Sequence, residues 1–150
     1  MRLIARTATS SDVPAILAIE QQSPTAAHWS SSHYHSALAD PTRLVLVAEH
    51  GSQLVGFLVA SMATLEWELE NIAVTPLERR RGIASKLMNR LIARAQKDGA
   101  SEIRQEIRVS NLAAQRLGQA TGFQQQGRRN GYYREPAEDA LLFKYLVKPP

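Results

Sequence analysis

Residues 79–84 carry the pattern in this chain with the clearest chemical meaning. Three consecutive arginines, Arg79, Arg80 and Arg81, are followed by Gly82 and a helix-like segment. Glycine lets the backbone approach a ligand closely, and the first N–H groups of a helix have no intrahelical partner. The helix dipole and the arginine charges add positive potential at the same end. This arrangement predicts a binding site for an anionic group such as a pyrophosphate.

The basic charge of the chain is concentrated in the half that contains this turn. The formal net charge is +4, with three basic and seven acidic side chains in residues 1–76 but fifteen basic and seven acidic ones in residues 77–150. Such an excess favours an anionic partner, of which nucleic acid is the most common. Aromatic residues make up only 6% of the chain, too few for a base-stacking surface. No nucleic-acid partner is therefore expected.

Length and composition exclude several classes of protein. The 150 residues are 44% hydrophobic and contain no cysteine, which excludes disulfides, a thiolate nucleophile and cysteine zinc sites. The four histidines lack a neighbouring carboxylate cluster, so no metal site is expected. No apolar run reaches the roughly 20 residues of a membrane helix, and the first residues do not resemble a signal peptide. We expect one cytoplasmic domain over residues 1–150, without a membrane partner.

Hydrophobic periodicity and turn residues predict elements in the order β-α-α-β-β-β-α-β-α-β-β. The predicted strands cover residues 3–6, 43–49, 54–62, 67–74, 102–109, 123–129 and 139–146. The predicted helices begin at Ser10 or Ser11, near residue 31, after Gly82 and at Asn111. Serine and asparagine cap helices, which supports two of these starts. The runs on either side of residues 50–53 have the spacing of an antiparallel hairpin.

With these elements in place, the chain resembles the GNAT superfamily of acetyl-CoA-dependent N-acetyltransferases over nearly its whole length. The family's pyrophosphate motif, Gln/Arg-x-x-Gly-x-Gly/Ala, is matched at every fixed position by residues 79–84. The segments at residues 71–76 and 121–123, together with Asn111, agree with the family as well. The resemblance implies an α/β (α+β) fold, in which helices flank a mixed, mostly antiparallel twisted sheet. Its two central strands would splay apart to admit the pantetheine arm of acetyl-CoA.

Within this superfamily, residues 71–74, 106–111 and 130–133 are similar to the bacterial ribosomal-protein-alanine N-acetyltransferases, which acetylate a protein N-terminus. The resemblance implies Glu106 as the general base. It implies that acetyl-CoA is bound by a strand edge, the basic turn and one asparagine, namely Ile72, Ala73, Val74, Arg79, Arg80, Arg81, Gly82, Ile83, Ala84, Ser85 and Asn111. The family's general acid is a tyrosine seven residues after that asparagine, where this chain has Gly118.

Two catalytic assignments stay open at this point. Glu70 lies two residues before Ile72, at a position from which other members of the superfamily recruit their base, so either Glu70 or Glu106 qualifies. Tyr132 and Tyr133 precede the final predicted strand and are the candidates to replace the missing tyrosine as general acid. If that missing donor limits the rate, a tyrosine restored at position 118 should raise it.

The identity of the amine acceptor is also open. Glutamates near the splayed strands favour a cationic amine by electrostatic complementarity. The first prediction is a protein or peptide N-terminal α-amine, and the alternative is a small amine such as a polyamine, an aminoglycoside or an amino-acid derivative. A third hypothesis, prompted by Gly118, is a CoA-binding module without catalysis. A homodimer formed through an exposed strand edge is compatible with each of them.

Overall fold

A computed structural model describes residues 2–24 and 26–149. Within these residues, seven strands form one sheet in the order β1-β2-β3-β4-β5-β7-β6. The strands are β1 Leu3–Thr7, β2 Arg43–His50, β3 Gln53–Ala63, β4 Glu66–Val74, β5 Glu102–Arg108, β6 Gln124–Arg134 and β7 Ala137–Leu146. The helices are α1 Val13–Gln21, α2 Ser31–Ala39, α3 Ile83–Lys97 and α4 Leu112–Ala120, with short 3-10 turns at Ser10–Asp12 and Pro76–Glu78. The order of strands and helices is the predicted one.

The start of α1 differs from the prediction of a serine cap. Thr9, not Ser10 or Ser11, precedes the first turn, and its backbone N–H donates to Asp12 Oδ2 at 2.8 Å. Arg6 Nη1 donates to the same Asp12 oxygen at 2.8 Å. Asp12, held by Thr9 and Arg6, closes a 3-10 turn at Ser10–Asp12, and α1 begins after it at Val13.

The sheet is covered on both faces by different helices. One core cluster packs α3 and α4 against the sheet, and a second packs α1 and α2 against the opposite side. We call these sides the α3 face and the α1 face. The buried residues of α3 recur at helical spacing, as predicted, and are Ile83, Leu87, Met88, Leu91 and Ala95. None of the helices in the described ranges is both long and apolar enough to cross a membrane.

A glycine on β3 allows the start of α3 to lie close to the sheet. A Cβ atom at Gly56 would come within 3.1 Å of Ile83 Cγ2 and 3.2 Å of the Ala73 carbonyl oxygen. Both distances are shorter than an ordinary van der Waals contact, so only glycine fits here without a shift of the helix. This contact fixes the first turn of α3 beside the end of β4.

The two central strands, β4 and β5, separate after a short paired stretch. They run parallel and pair only where Glu66, Trp67 and Glu68 face residues 102–104. All other neighbouring strands of the sheet pair antiparallel. We call the unpaired part, residues 69–74 of β4 and 105–108 of β5, the fork. The fork is the splay that the resemblance predicted.

Candidate active site

Two buried oxygens mark the point where the fork opens. Within residues 2–24 and 26–149, Glu70 Oε1 and Gln105 Oε1 are the buried side-chain atoms that lack a hydrogen-bond partner. Gln105 comes directly after the last paired residue of β5, and Glu70 comes two residues after that of β4. A buried polar atom without a partner costs about 1–3 kcal/mol. Both oxygens lie where the fork opens, so a ligand bound there can supply the missing hydrogen bonds.

A β-bulge in β4 decides where the side chains of the fork point. Val59 of β3 pairs with Asn71 and Ala60 pairs with Leu69, so Glu70 has no opposite residue. Strict alternation would send Glu70 and Asn71 to opposite faces of the sheet. The extra residue instead turns both to the α1 face, where Glu70 meets Arg43 and Asn71 bonds to Tyr34.

The Glu70 carboxylate is half-buried and has a raised pKa. Its Oε1 lies 3.1 Å from Arg43 Nε, and the pair forms an ion pair without hydrogen-bond geometry. Burial raises the pKa of Glu70 above its usual range, and the charge of Arg43 opposes that shift only in part. A carboxylate with a raised pKa accepts a proton more readily than an exposed one.

Glu106 lies on β5, also on the α1 face of the fork. Ile103 and Ile107 belong to the α3-face core, so the alternation of the strand places Glu106 on the opposite side, half-buried. Its basic neighbours are paired with other carboxylates, Arg104 with Glu66 at 2.9 Å and Arg108 with Glu138 at 3.2 Å. Glu106 therefore does not serve as the ion-pair partner of either neighbouring arginine on β5.

Both tyrosines of β6 are close enough to Glu106 to respond to its charge. Hydrogen bonding to the Glu106 carboxylate raises the pKa of Tyr132, and its negative charge adds to that shift. Burial is the main cause that raises the pKa of Tyr133, followed by the charge of Glu106. The guanidinium carbon of Arg108 lies 4.1 Å from the centre of the Tyr133 ring. Of the two tyrosines, Tyr132 is thus the one for which Glu106 is the main cause of the raised pKa.

Gly118 is buried where α4 packs on β7. A Cβ atom at this position would lie 3.1 Å from Phe143 Cδ2 and 3.5 Å from Phe123 Cβ. The Phe143 ring therefore fills the space into which a side chain at position 118 would begin to grow. The absence of a tyrosine at position 118 therefore leaves no gap, because Phe143 occupies the space beside Gly118.

Replacing Gly118 with tyrosine is expected to destabilise the protein and not to raise the rate. The new side chain must displace Phe143 from the core, which costs roughly 1–3 kcal/mol. Urea unfolding of Gly118→Tyr, with Gly118→Ala as a smaller change at the same site, measures this cost. A Gly118→Tyr variant as stable as the original and faster in acetyl transfer would show that the space is available.

The basic turn at residues 79–85, which we call the cradle, has the backbone of an anion site. Gly82 adopts a left-handed conformation (φ 77°) directly before α3, and Arg80 does so as well (φ 65°). In the described part of the chain, no side chain caps the N-terminus of α3. The N–H groups of Ile83, Ala84 and Ser85 therefore suit phosphate oxygens, and the helix dipole adds to their attraction.

The three arginines of the cradle have different surroundings. Arg79 is turned back onto the protein, where Nε donates to the Val74 carbonyl oxygen at 3.1 Å and Nη2 donates to Ser23 Oγ at 3.2 Å. Arg81 pairs with Glu78 at 3.2 Å, and Arg80 is exposed. All three side chains are exposed, but Arg79 bonds the turn to the end of β4, which leaves Arg80 as the arginine best placed to meet an anion.

The remaining predicted cofactor residues lie along the fork and at the start of α4. Ile72, Ala73 and Val74 follow the bulge on β4, and their edge toward β5 has no ladder partner. Backbone N–H and C=O groups on such an edge can bind an extended ligand as a strand would. Asn111 caps α4, its Oδ1 accepting from the Ala114 N–H at 3.1 Å. Ile72, Ala73 and Val74 thus lie on β4 between the opening of the fork and the cradle, and Asn111 lies three residues beyond the end of β5.

A buried network on the α1 face was not predicted from the sequence. Glu20, only 2% exposed, accepts hydrogen bonds from Tyr34 Oη at 2.6 Å and from the Trp29 backbone N–H at 2.7 Å. Asn71 Nδ2 donates to Tyr34 Oη at 3.0 Å, and Asn71 Oδ1 accepts from the Ala27 N–H at 3.2 Å. The network fastens the segment before α2 to the fork. No local sequence signal marks it, because Glu20 occupies an ordinary helix position.

Comparison with known proteins agrees with this geometry. A model of the acetyltransferase (GNAT) family matches residues 13–123. The ribosomal protein bS18-alanine N-acetyltransferase of Escherichia coli (strain K12) is 30% identical over 135 residues, which cover 89% of this chain and 90% of that protein. The enzyme of the same name from Salmonella typhimurium (strain LT2) is 31% identical over 137 residues, with the same shares covered.

The fold agrees with the same group of proteins. The crystal structure of the ribosomal-protein-S18-alanine N-acetyltransferase from Escherichia coli superposes with a TM-score of 0.87 at 27% identity, covering 99% of this chain and 96% of that chain. Family model, relatives and fold thus coincide with a fork and a cradle suited to acetyl-CoA. The chain belongs to the acetyltransferase (GNAT) family and takes its acetyl group from acetyl-CoA.

Proposed function

We propose that this acetyltransferase acts on the N-terminal α-amine of a protein or peptide. The observation that carries the proposal is the pair of carboxylates, Glu70 and Glu106, on the α1 face of the fork, opposite the face of α3 and the cradle. A cationic amine that approaches from the α1 face meets negative charge beside the acetyl group. Relatives at about 30% identity are named for acetylation of the alanine N-terminus of ribosomal protein bS18, which supports a peptide α-amine.

In this proposal the chain binds its cosubstrate along one track. The N–H groups of the cradle, with Arg80 and Arg81 nearby, hold the pyrophosphate, and Arg79 keeps the turn in place. The open edge of residues 72–74 and Asn111 hold the rest of the cofactor. When bound, acetyl-CoA supplies an activated thioester. The chain itself orients the acetyl carbonyl at the fork and keeps it close to the carboxylates.

Glu106 is the proposed general base. An α-amine has a pKa of about 7.7–8.0 and is mostly protonated at neutral pH, so it must lose a proton before it attacks a carbonyl. Glu106 removes that proton, directly or through a water. Glu70, with its raised pKa, is the alternative base. Tyr132, next to Glu106, then supplies a proton or hydrogen bond to the departing sulfur.

Replacing Tyr132 with phenylalanine is expected to lower kcat by about tenfold, below the 10²–10⁴ of a typical general acid, because a thiolate leaves without full protonation. The peptide KM and the acetyl-CoA KM should change little. Tyr133→Phe is the matched control, since burial rather than Glu106 is the main cause of its raised pKa. If Tyr133→Phe lowers kcat more than Tyr132→Phe, the proposed role of Tyr132 belongs to Tyr133.

The experiment that tests the function is release of free thiol from acetyl-CoA by the purified protein with a panel of acceptors. The panel holds peptides that begin with alanine or serine, polyamines and aminoglycosides, with N-terminally blocked peptides as the control. Turnover of the free peptides alone is the expected result. Turnover of a small amine in preference to every peptide would overturn the proposed acceptor. Tight acetyl-CoA binding without turnover would favour a CoA-binding module.

A further inference from the structure

Gln105 is a polar residue in a place that otherwise holds core side chains. It is 7% exposed and lies on β5 between Ile103 and Ile107, on the α3 face of the sheet. Its register partner on β7 is Phe143, part of the same core cluster. Its Oε1 is buried and accepts no hydrogen bond from the part of the chain that the structure describes. The sheet would be better packed by a leucine at this position, because an amide oxygen buried without a partner destabilises the free protein.

The position of Gln105 indicates a role for its unpaired Oε1. It is the first residue of β5 after the last pair with β4, so it stands where the fork opens. The base candidates, Glu70 and Glu106, face the opposite side, which leaves the α3 face of this point to the cosubstrate. The tyrosine that the resemblance places on α4 is absent, and Phe143 fills the space next to Gly118. Gln105 is thus the polar side chain that stands beside this space.

We propose that the Gln105 carboxamide binds the pantetheine arm of acetyl-CoA at the end that carries the sulfur. Its Oε1 accepts the N–H of the arm's amide nearest the thioester, which removes the cost of the unpaired oxygen only when acetyl-CoA is bound. The inference rests on acetyl-CoA as the cosubstrate and on its track along β4. It does not depend on which amine is acetylated.

The length of the fork agrees with this assignment. Residues 69–74 of β4 connect the fork's opening to the cradle, and six extended residues span on the order of 20 Å. An extended pantetheine arm whose pyrophosphate lies in the cradle therefore reaches toward Gln105 with its thiol end. The nucleotide part stays at the cradle, too far away to contact this side chain. Gln105 should therefore affect binding of the arm and leave binding of the nucleotide alone unchanged.

The test is the affinity of Gln105→Leu for two probes, measured by calorimetry without any acceptor. Acetyl-CoA should bind about tenfold more weakly, since one buried hydrogen bond is lost. Adenosine 3′,5′-bisphosphate, which lacks the arm and the outer phosphate of the pyrophosphate, should bind as it does to the original protein. The thermal midpoint without ligand should rise, because the unpaired oxygen is gone. Gln105→Met, of similar length and without the amide, should behave in the same way and serves if the leucine variant does not fold.

Ile103→Val is the matched control. Ile103 lies on the same face of β5 but in the part that still pairs with β4, opposite Trp67. This variant should lose stability and keep both affinities. Unchanged acetyl-CoA affinity in both Gln105 variants would overturn the inference, and so would a fall in the thermal midpoint, which would show that the oxygen is paired in the free protein. Failure of peptide acetylation would leave these binding results intact, so the two proposals fail separately.

Discussion

Replacing Glu106 with glutamine is expected to lower kcat for a peptide acceptor by about 10²–10⁴, the usual contribution of a positioned general base. Glutamine keeps the size of the side chain and removes the ability to take a proton. The affinity for acetyl-CoA should stay the same, because Glu106 points to the α1 face, whereas the proposed contacts of the cosubstrate are the cradle, the edge of β4 and the α3 face. Steady-state kinetics with a peptide that begins with alanine, together with calorimetry for acetyl-CoA, measure the two quantities.

The control for Glu106 is the same change at Glu70. Glu70→Gln keeps the shape of the bulge and should lower kcat by less than about tenfold, since Glu70 is held in an ion pair with Arg43. The comparison of the two variants is the readout, since the loss of kcat in Glu106→Gln should exceed that in Glu70→Gln by about tenfold or more. The reverse pattern would assign the base to Glu70, whose pKa burial has raised.

Replacing Gly82 with valine is expected to weaken acetyl-CoA binding by about 10- to 100-fold. Gly82 has a φ of 77°, which an ordinary residue adopts at a cost of about 1–2 kcal/mol, and a β-branched residue resists it most. Nothing lies within 4 Å of the position where its Cβ would be. Valine therefore does not clash. It pulls the turn toward negative φ, and the N–H groups of the cradle then no longer converge on the pyrophosphate.

Gly99 offers a closely matched control at the other end of the same helix. It has a φ of 76°, and its Cβ position is also open within 4 Å. Gly99→Val should therefore lose as much stability in urea as Gly82→Val, with acetyl-CoA affinity unchanged. Equal loss of affinity in both variants would show that general destabilisation, not the cradle, is responsible. The bisphosphate nucleotide should bind Gly82→Val more weakly as well, in contrast to Gln105→Leu.

The sequence predicted the elements because their signals are local. The apolar residues of α3 recur at helical spacing, and the strand and turn residues of β2 and β3 mark a hairpin. The cradle was predictable for the same reason, since glycine, arginines and a helix start follow one another along the chain. The cap of α1 was not, because Asp12 competes with Ser10 and Ser11 and is fixed by Arg6 from a neighbouring strand.

The fork's chemistry depends on contacts between distant parts of the chain. In a regular strand Glu70 and Asn71 would lie on opposite faces of β4. The bulge against β3 turns both to the same face. Arg79 matches a cofactor motif, yet its side chain bonds to Ser23, 56 residues away. In the sequence, Gly118 indicates a lost catalytic tyrosine. In the structure, Phe143 packs against Gly118 and fills that space.

From its own residues and their resemblance to a family, the sequence determined the order of elements, the cradle and the acetyl-CoA chemistry. These depend on periodicity and on short motifs, whose physics lies within a few neighbouring residues. Only the tertiary structure decided which carboxylates share a face and which arginine of the cradle bonds back to the protein. Within the described residues, it alone showed that two buried oxygens at the fork, on Glu70 and Gln105, lack hydrogen-bond partners. Those features arise from register, burial and packing across strands, which no local pattern encodes.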